Sequence, residues 1–155
     1  EEIRKRLREL SLEGMQDSSN ADIQLTRNYI RRKVLPLLEE VNGKAVEHLS
    51  LEADYFDELA EYFHKKVKTF LDESMEVRED YLSLSIRALK KEEALLRREI
   101  YLAAVQTLQG ETKDIVREHL YSIDRIVFSG RGKRVELPGT CVVRNCGQSL
   151  RFEKR

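Results

Sequence analysis

The clearest pattern in the sequence is a repeat of apolar positions between residues 45 and 71. These positions recur at alternating intervals of three and four residues, which is typical of one face of a long α-helix. They are Val46, Leu49, Ala53, Phe56, Ala60, Phe63, Val67 and Phe70. This apolar seam predicts a long helix that packs along one side of a bundle. A coiled-coil dimer is the alternative, because the same spacing forms coiled coils.

Further segments have helical periodicity. Residues 22–41 predict a helix that Pro36 kinks or splits, because proline lacks a backbone donor and its ring clashes with the preceding turn. Residues 85–108 predict a second long helix ending at Gly110, and another helix is predicted to begin at Thr112. Together with the seam, these segments predict three or four packed helices.

After Gly130 the pattern changes from helical spacing to strict alternation. Strands are predicted over residues 134–137, 141–144 and 149–153, and one further short strand near residues 81–84. The sequence therefore predicts a mainly α fold, a helical bundle with a small C-terminal β-hairpin.

Charge is distributed unevenly along a chain that is neutral overall. Residues 36–124 hold 12 basic and 20 acidic side chains, whereas residues 125–155 hold 8 basic and 2 acidic ones. The acidic middle is unlike a uniformly basic nucleic-acid binder, but the basic tail can offer a surface to a polyanion.

Cysteine content and hydropathy bear on the compartment. No apolar run approaches the roughly 20 residues that span a bilayer, and no secretory pattern opens the chain. Cys141 and Cys146 are too few for a structural zinc site and predict free thiols in a reducing environment, with a disulfide between them as the alternative. These features predict a cytoplasmic protein without a membrane partner.

Motifs for common enzyme chemistries are missing. The sequence has no G-x-x-x-x-G-K-[ST], G-x-G-x-x-G, H-E-x-x-H or G-x-S-x-G. His48, His64 and His119 are scattered over helical segments, and we interpret them as surface or interface residues. We therefore expect no catalytic residue and no metal site in this chain. We also expect the chain to be inactive alone.

One segment, residues 17–38, is denser in polar and basic side chains. A D-S-S-N cluster precedes a helix on which Arg27 and Arg31 share a face, with Asn28 beside them. Two guanidinium groups on one face can clamp a phosphate or a carboxylate. The alternative is that the cluster caps the helix while the arginines pair with the acidic middle of the chain.

Two motifs give the chain a family resemblance. The pattern D-x-[ST]-N-x6-R-N-x-I-R-x3-[LIV]-P-L-L, matched without a gap over residues 17–38, resembles the end of the catalytic domain of bacterial tRNA(Ile)-lysidine synthetases. The tail G-K-x-[VIL]-x-L-P-G at residues 132–139 is also similar to that family. The resemblance implies that residues 1–44 are the end of a catalytic domain plus a linker helix. Residues 45–155 would be a helical tRNA-binding domain with a basic hairpin at 130–155.

The same resemblance implies roles for individual residues. One group would line the active-site cleft and orient the substrate: Asp17, Asn20, Arg27, Asn28 and Arg31. A second group would grip tRNA through its phosphates: Arg131, Lys133, Arg134 and Arg144. Arg97 and Arg98 are weaker candidates for RNA contact, since a charged surface explains them equally well.

The family uses ATP to activate the wobble cytidine of a minor isoleucine tRNA, and lysine then displaces AMP. Its S-G-G-x-D-S phosphate loop is not found in this sequence, so the catalytic domain is expected to be missing here. The resemblance thus implies a tRNA partner, the catalytic domain of the same protein, and ATP with Mg²⁺ as cofactors of the complete enzyme only. The rival hypothesis is a helical protein-interaction or dimerisation module, a homodimer that binds no nucleic acid.

Overall fold

The computed structural model describes residues 24–155, which divide into two compact units. The boundary between the units lies between Phe56 and Asp57. Helix α3 (Ala45–Ser74) begins in the first unit and ends in the second. The domain division predicted at residue 45 rests on function, and it stays a prediction.

The first unit contains a helical segment that changes its winding just before Pro36. It consists of α1 (Thr26–Tyr29), a π-helical turn (Ile30–Val34) and α2 (Leu35–Val41). The backbone N–H of Leu35 donates to the carbonyl of Ile30, five residues back, whereas an α-helix bonds four residues back. Pro36 then occupies the first turn of α2, where its missing donor costs little. The predicted split is not observed, because α1, the π-helical turn and α2 follow one another without a gap. The winding changes instead just before Pro36.

The second unit is built on an antiparallel sheet, five-stranded within residues 24–155. Its strands are β1 (Met75–Val77), β2 (Tyr81–Ser85), β3 (Arg134–Glu136), β4 (Cys141–Asn145) and β5 (Ser149–Lys154). Their spatial order is β1-β2-β5-β4-β3, and each neighbouring pair is antiparallel. The strand that comes last in the sequence is therefore the central one.

Helices cover one face of this sheet. After β2 the chain forms α4 (Ile86–Leu89), α5 (Ala94–Gln109) and α6 (Arg117–Val127), and α5 and α6 pack on the strands. Because side chains alternate along a strand, every second residue of β2, β4 and β5 faces these helices. The fully buried centre comprises Leu82, Leu84, Leu89, Ile100, Tyr101, Ala104, Val105, Ile123, Val127, Val143, Leu150 and Phe152.

The predicted bundle with a small hairpin is only partly matched. The three C-terminal strands lie where they were predicted, but they do not form a separate hairpin. β5 also pairs with β2, with Leu82 opposite Phe152 and Leu84 opposite Leu150. An unpaired apolar strand would leave backbone groups without partners, and pairing with β2 satisfies them. The fold is therefore mixed, helices packed on an antiparallel sheet.

The apolar seam is buried only at its C-terminal end. This corrects the prediction of a long helix that packs along one side of a bundle. Val67 and Phe70 are buried in the core of the second unit. Leu49 and Phe56, however, are 50% and 62% exposed. The spacing of the seam describes one face of a helix, and it does not tell how much of that face another element covers.

Two helix boundaries also differ from the prediction. The helix predicted over residues 85–108 is divided into α4 and α5, and the Ser85 hydroxyl caps α4 by accepting from the Ala88 N–H at 3.3 Å. The helix predicted from Thr112 begins at Arg117. The Ser85 cap marks the start of α4, whereas the division between the two helices falls at the turn over residues 90–93.

The structure bears on the predictions of free thiols and of no membrane-spanning segment. Cys141 is buried, Cys146 is partly buried, and both thiols are free. Burial raises the pKa of the Cys141 thiol to about 11. No helix among residues 24–155 is long and apolar enough to cross a membrane.

Candidate nucleic-acid interface

The basic loop, residues 129–133, links α6 to β3 and lies against the end of β4. The Gly132 N–H donates to the Asn145 carbonyl at 2.8 Å, and the Asn145 N–H donates to the Lys133 carbonyl at 2.9 Å. Gly132 has φ +91°, a left-handed conformation that side chains other than glycine rarely adopt. These two backbone hydrogen bonds fix the path of the loop.

Asn145 also fastens the basic loop through its side chain. The residue is only 2% exposed, and its Nδ2 donates to the carbonyls of Ile126 at 2.6 Å and Ser129 at 3.2 Å. Its Oδ1 accepts from the Gly147 N–H at 2.8 Å. One amide thus joins the end of α6, the basic loop and the β4–β5 turn. The sequence carries a signal for this role, because an asparagine two residues before a glycine often accepts a hydrogen bond from that glycine's N–H.

The predicted tRNA-binding residues are brought together around this loop. Arg131, Lys133 and Arg134 are exposed, and Arg144 is partly exposed. Arg134 and Arg144 are direct register partners on β3 and β4. The stem of Arg131 lies beside Gly147, where an added Cβ would be 3.6 Å from its Cδ. The structure places these four residues in one region, and their contact with tRNA stays a prediction.

A shallow depression adds a cation that sequence reasoning missed. Lys133 lines it together with Arg125 from α6, and its volume is about 300 Å³. Both residues are exposed. Arg125 lies in a segment whose apolar pattern predicts a core helix. The sequence therefore gave no sign that Arg125 lies beside the basic loop, and only the folded structure shows it.

Arg97 is not available to RNA, in contrast to its weak candidacy from sequence. It is 8% exposed, and its Nε and Nη2 donate to the two carboxylate oxygens of Asp124 at 2.7 and 2.9 Å. Its Nη1 donates to the Glu92 carbonyl at 2.6 Å, and its guanidinium lies 4.8 Å from the Phe128 ring centroid. Tyr101 donates a further hydrogen bond to Asp124 at 2.9 Å. Arg97 therefore joins α5 to α6 as a structural residue.

Arg98 differs from Arg97, since it is only partly buried and its guanidinium stacks 5.1 Å from the Tyr121 ring centroid. The stacking orients the side chain on the outer surface of α5 and α6. Its candidacy for RNA contact stays open.

The residues predicted to line an active-site cleft are described only in part. Asp17 and Asn20 lie outside the described residues. Arg27 on α1 and Arg31 on the π-helical turn are exposed, whereas Asn28 is buried at 6% exposure. Two exposed guanidinium groups can take an anion. Their predicted roles are not tested by the structure.

The histidines have simple surroundings. His119 Nδ1 accepts from the Val116 N–H at 3.1 Å, which satisfies a donor at the start of α6. His64 on α3 lines an open groove against α5 together with Phe63 and Glu99. Among residues 24–155, no group of three or more His, Cys, Asp or Glu side chains is arranged to hold a metal ion.

Several named proteins are similar in sequence to this chain. No family model matches the chain. It is 29% identical over 157 residues to a tRNA(Ile)-lysidine synthase of Geobacter sulfurreducens, which covers 100% of the chain and 33% of the relative. It is 27% identical over 138 residues to one of Caldanaerobacter subterraneus, covering 88% of the chain and 30% of the relative. Another, of Porphyromonas gingivalis, is 30% identical over 108 residues, covering 70% of the chain and 22% of the relative.

These relatives confirm the resemblance to tRNA(Ile)-lysidine synthetases that the two sequence motifs indicated. The similarity extends over the whole chain, and the chain spans about a third of the length of the relatives that it matches. It therefore resembles one portion of such an enzyme.

Proposed function

We propose that this chain is the tRNA-recognition portion of a tRNA(Ile)-lysidine synthetase and binds the substrate tRNA through the basic loop and β4. The observation that carries the proposal is the ordered basic loop, in which Asn145 holds Arg131 and Lys133 at the surface next to Arg134 and Arg144. Phosphate contacts from such residues position a nucleic acid and make its affinity depend on salt.

The relatives support the kind of substrate, because they are named for a reaction on tRNA(Ile). Under this proposal, the substrate is the minor isoleucine tRNA whose wobble cytidine receives lysine. ATP and Mg²⁺ are then used by the pyrophosphatase-type catalytic domain of the complete enzyme. Arg27 and Arg31 are expected to orient substrate at the edge of that domain, together with Asp17, Asn20 and Asn28.

Fluorescence anisotropy of labelled, unmodified minor isoleucine tRNA with the purified chain tests the proposal. Affinity is expected to fall steeply as salt rises, because each phosphate contact releases counterions. In an Arg131→Ala, Lys133→Ala variant, the log–log salt slope is expected to shrink by about one for each lost contact.

A matched control removes two lysines that are also exposed but lie away from the basic loop, in a Lys68→Ala, Lys91→Ala variant. The control keeps the overall charge equal to that of the loop variant, so only the position of the charges differs. Equal losses of affinity in both variants would mean that binding follows net charge alone. A folded wild-type chain that fails to bind tRNA at low salt would overturn the proposal.

The dimerisation module remains the second candidate, because α3 exposes apolar side chains. Leu49, Leu51, Phe56 and Tyr62 are all at least half exposed. Sedimentation equilibrium distinguishes the two candidates. A tight dimer that ignores tRNA would favour the module, whereas a monomer that binds tRNA would favour the recognition domain.

A further inference from the structure

Three arginines form a row across the sheet. Arg134 on β3 is the register partner of Arg144 on β4, and Arg144 is the register partner of Arg151 on β5. Register partners project from the same face of a sheet, and neighbouring strands lie about 4.8 Å apart. Three arginine side chains therefore start at regular intervals along a line that crosses the strands.

This arginine row lies on the face opposite the helices. Val143, Leu150 and Phe152, which alternate with Arg144 and Arg151 along their strands, are fully buried against the core. The side chains of Arg134, Arg144 and Arg151 are instead 59%, 39% and 36% exposed. Beyond Arg151 the row continues through Ser83 to Glu76 on the edge strand β1.

The carboxylates beside the arginine row neutralise it only in part. Glu153 lies 3.9 Å from Arg144 and 3.6 Å from Arg151, and Glu136 lies 3.5 Å from Arg134. Glu136 is also paired with Arg155, so two carboxylates serve four arginines. Ion pairs at such distances and exposures are weak, because solvent screens them. Like charges opposite each other also destabilise a sheet, so an added anion would be favourable here.

Arg151 is held in a fixed orientation by an aromatic ring. Its guanidinium carbon lies 4.1 Å from the ring centroid of Tyr81 on the neighbouring strand β2. Stacking of this kind limits the rotation of a guanidinium without consuming its terminal donors. An ordered donor group loses less entropy when it binds a phosphate.

We propose that the arginine row is a second RNA-binding surface, on which successive phosphates of the tRNA backbone pair with Arg134, Arg144 and Arg151. This inference rests on the proposed tRNA recognition and extends it from the basic loop onto the open face of the sheet. Arg134 and Arg144 belong to both surfaces and Arg151 is the residue that the row adds, so one backbone can pass from the loop to the row. The planar fork of each guanidinium suits the two free oxygens of a phosphate.

The decisive experiment changes the competing carboxylate instead of the cations. A Glu153→Gln variant removes the charge that Arg144 and Arg151 share, and the chain is expected to bind the minor isoleucine tRNA about two- to fivefold more tightly, the range of a weak exposed pair. A Glu79→Gln variant removes the same charge from the exposed turn between β1 and β2 and is expected to change the affinity less.

Arg144→Gln and Arg151→Gln are the complementary variants, since glutamine keeps much of the side-chain stem. Each is expected to lower the log–log salt slope of tRNA binding by about 0.7 to 0.9, the contribution of one phosphate. Circular dichroism shows whether each variant is folded, and the glutamate variants decide the question if an arginine variant is not.

The outcomes separate this inference from the proposed function. If the wild-type chain binds tRNA and the loop variant weakens it, but Glu153→Gln equals Glu79→Gln and the arginine variants keep the full slope, the row does not bind RNA. The proposed function would then rest on the basic loop alone, without β4. If the folded wild-type chain binds no tRNA at low salt, both are wrong.

Discussion

At the scale of single residues, the most consequential group is the carboxylate of Asp124. It accepts hydrogen bonds from Arg97 and Tyr101, which both lie on α5, while Asp124 itself lies on α6. Burial acts to raise the pKa of Asp124, but the hydrogen bonds from Arg97 and Tyr101 outweigh it, so the pKa lies below its usual value. Burial, and after it the charge of Asp124, raises the pKa of the Tyr101 hydroxyl, which therefore remains a donor at neutral pH.

The lowered pKa of Asp124 predicts a loss of stability in acid. The carboxyl titrates at about 3.9 in the unfolded chain, so its contribution is complete above that pH and is lost as pH falls through the lower folded pKa. Asp124→Asn is expected to cost about 3 kcal/mol at pH 7, because it leaves the buried Arg97 unpaired. Urea unfolding at pH 7 and at pH 3 measures both effects.

The exposed Asp72→Asn serves as the control and is expected to change the free energy of unfolding by less than about 0.5 kcal/mol at pH 7. The variant Asp124→Asn should also lose less stability between pH 7 and pH 3 than the wild type. An unchanged acid dependence in Asp124→Asn would show that other carboxylates control the acid limb.

The role of a residue could be predicted from the sequence where the residue belongs to a short motif. The basic residues of the loop were predicted because the motif at residues 132–139 resembles the tRNA(Ile)-lysidine synthetases, and the structure places them together. No motif distinguishes the role of Arg97 from the role of Arg98. Only the packing of α6 on α5 decides which of two adjacent arginines meets Asp124.

At the scale of elements, α3 shows how far an apolar repeat determines packing. Phe70 is 6% exposed and belongs to the core, whereas Phe56 of the same seam is 62% exposed. We expect Phe70→Ala to reduce the free energy of unfolding by about 3 to 5 kcal/mol, the cost of a large cavity. The matched Phe56→Ala is expected to cost less than about 1 kcal/mol. Urea denaturation followed by circular dichroism compares the two, and equal losses would show that the seam is packed at its middle as well.

The sequence indicated where helices and strands occur better than how they associate. The same heptad spacing occurs in a helix that is buried along its whole length and in a helix that other elements cover only at one end. The prediction of a helical bundle was therefore partly wrong. The strand near residues 81–84 was recognised, yet its pairing was not. The pair Leu82 and Phe152 is separated by most of the second unit, and no local pattern specifies that contact.

At the scale of the whole molecule, the sheet order makes the second unit depend on its last strand. β5 has two neighbours, β2 and β4, so its removal would separate β1 and β2 from β3 and β4. A chain that ends at Gln148 is expected to lose the cooperative unfolding transition, because it lacks the buried Leu150 and Phe152. Thermal unfolding by calorimetry tests this, with Arg155→Ala as a control that keeps the whole strand. A cooperative transition in the shortened chain would contradict the prediction.

The central position of β5 also has a consequence for biosynthesis. Within the sheet, translation delivers β1 and β2 before α4 to α6, then β3 and β4, and β5, which joins the two halves of the sheet, follows them. Until residue 154 has left the ribosome, both half-sheets present an unpaired edge, which is the feature that recruits chaperones or other nascent chains. A pause in elongation shortly before β5 would therefore prolong the aggregation-prone interval, whereas a pause after it would give the sheet time to close.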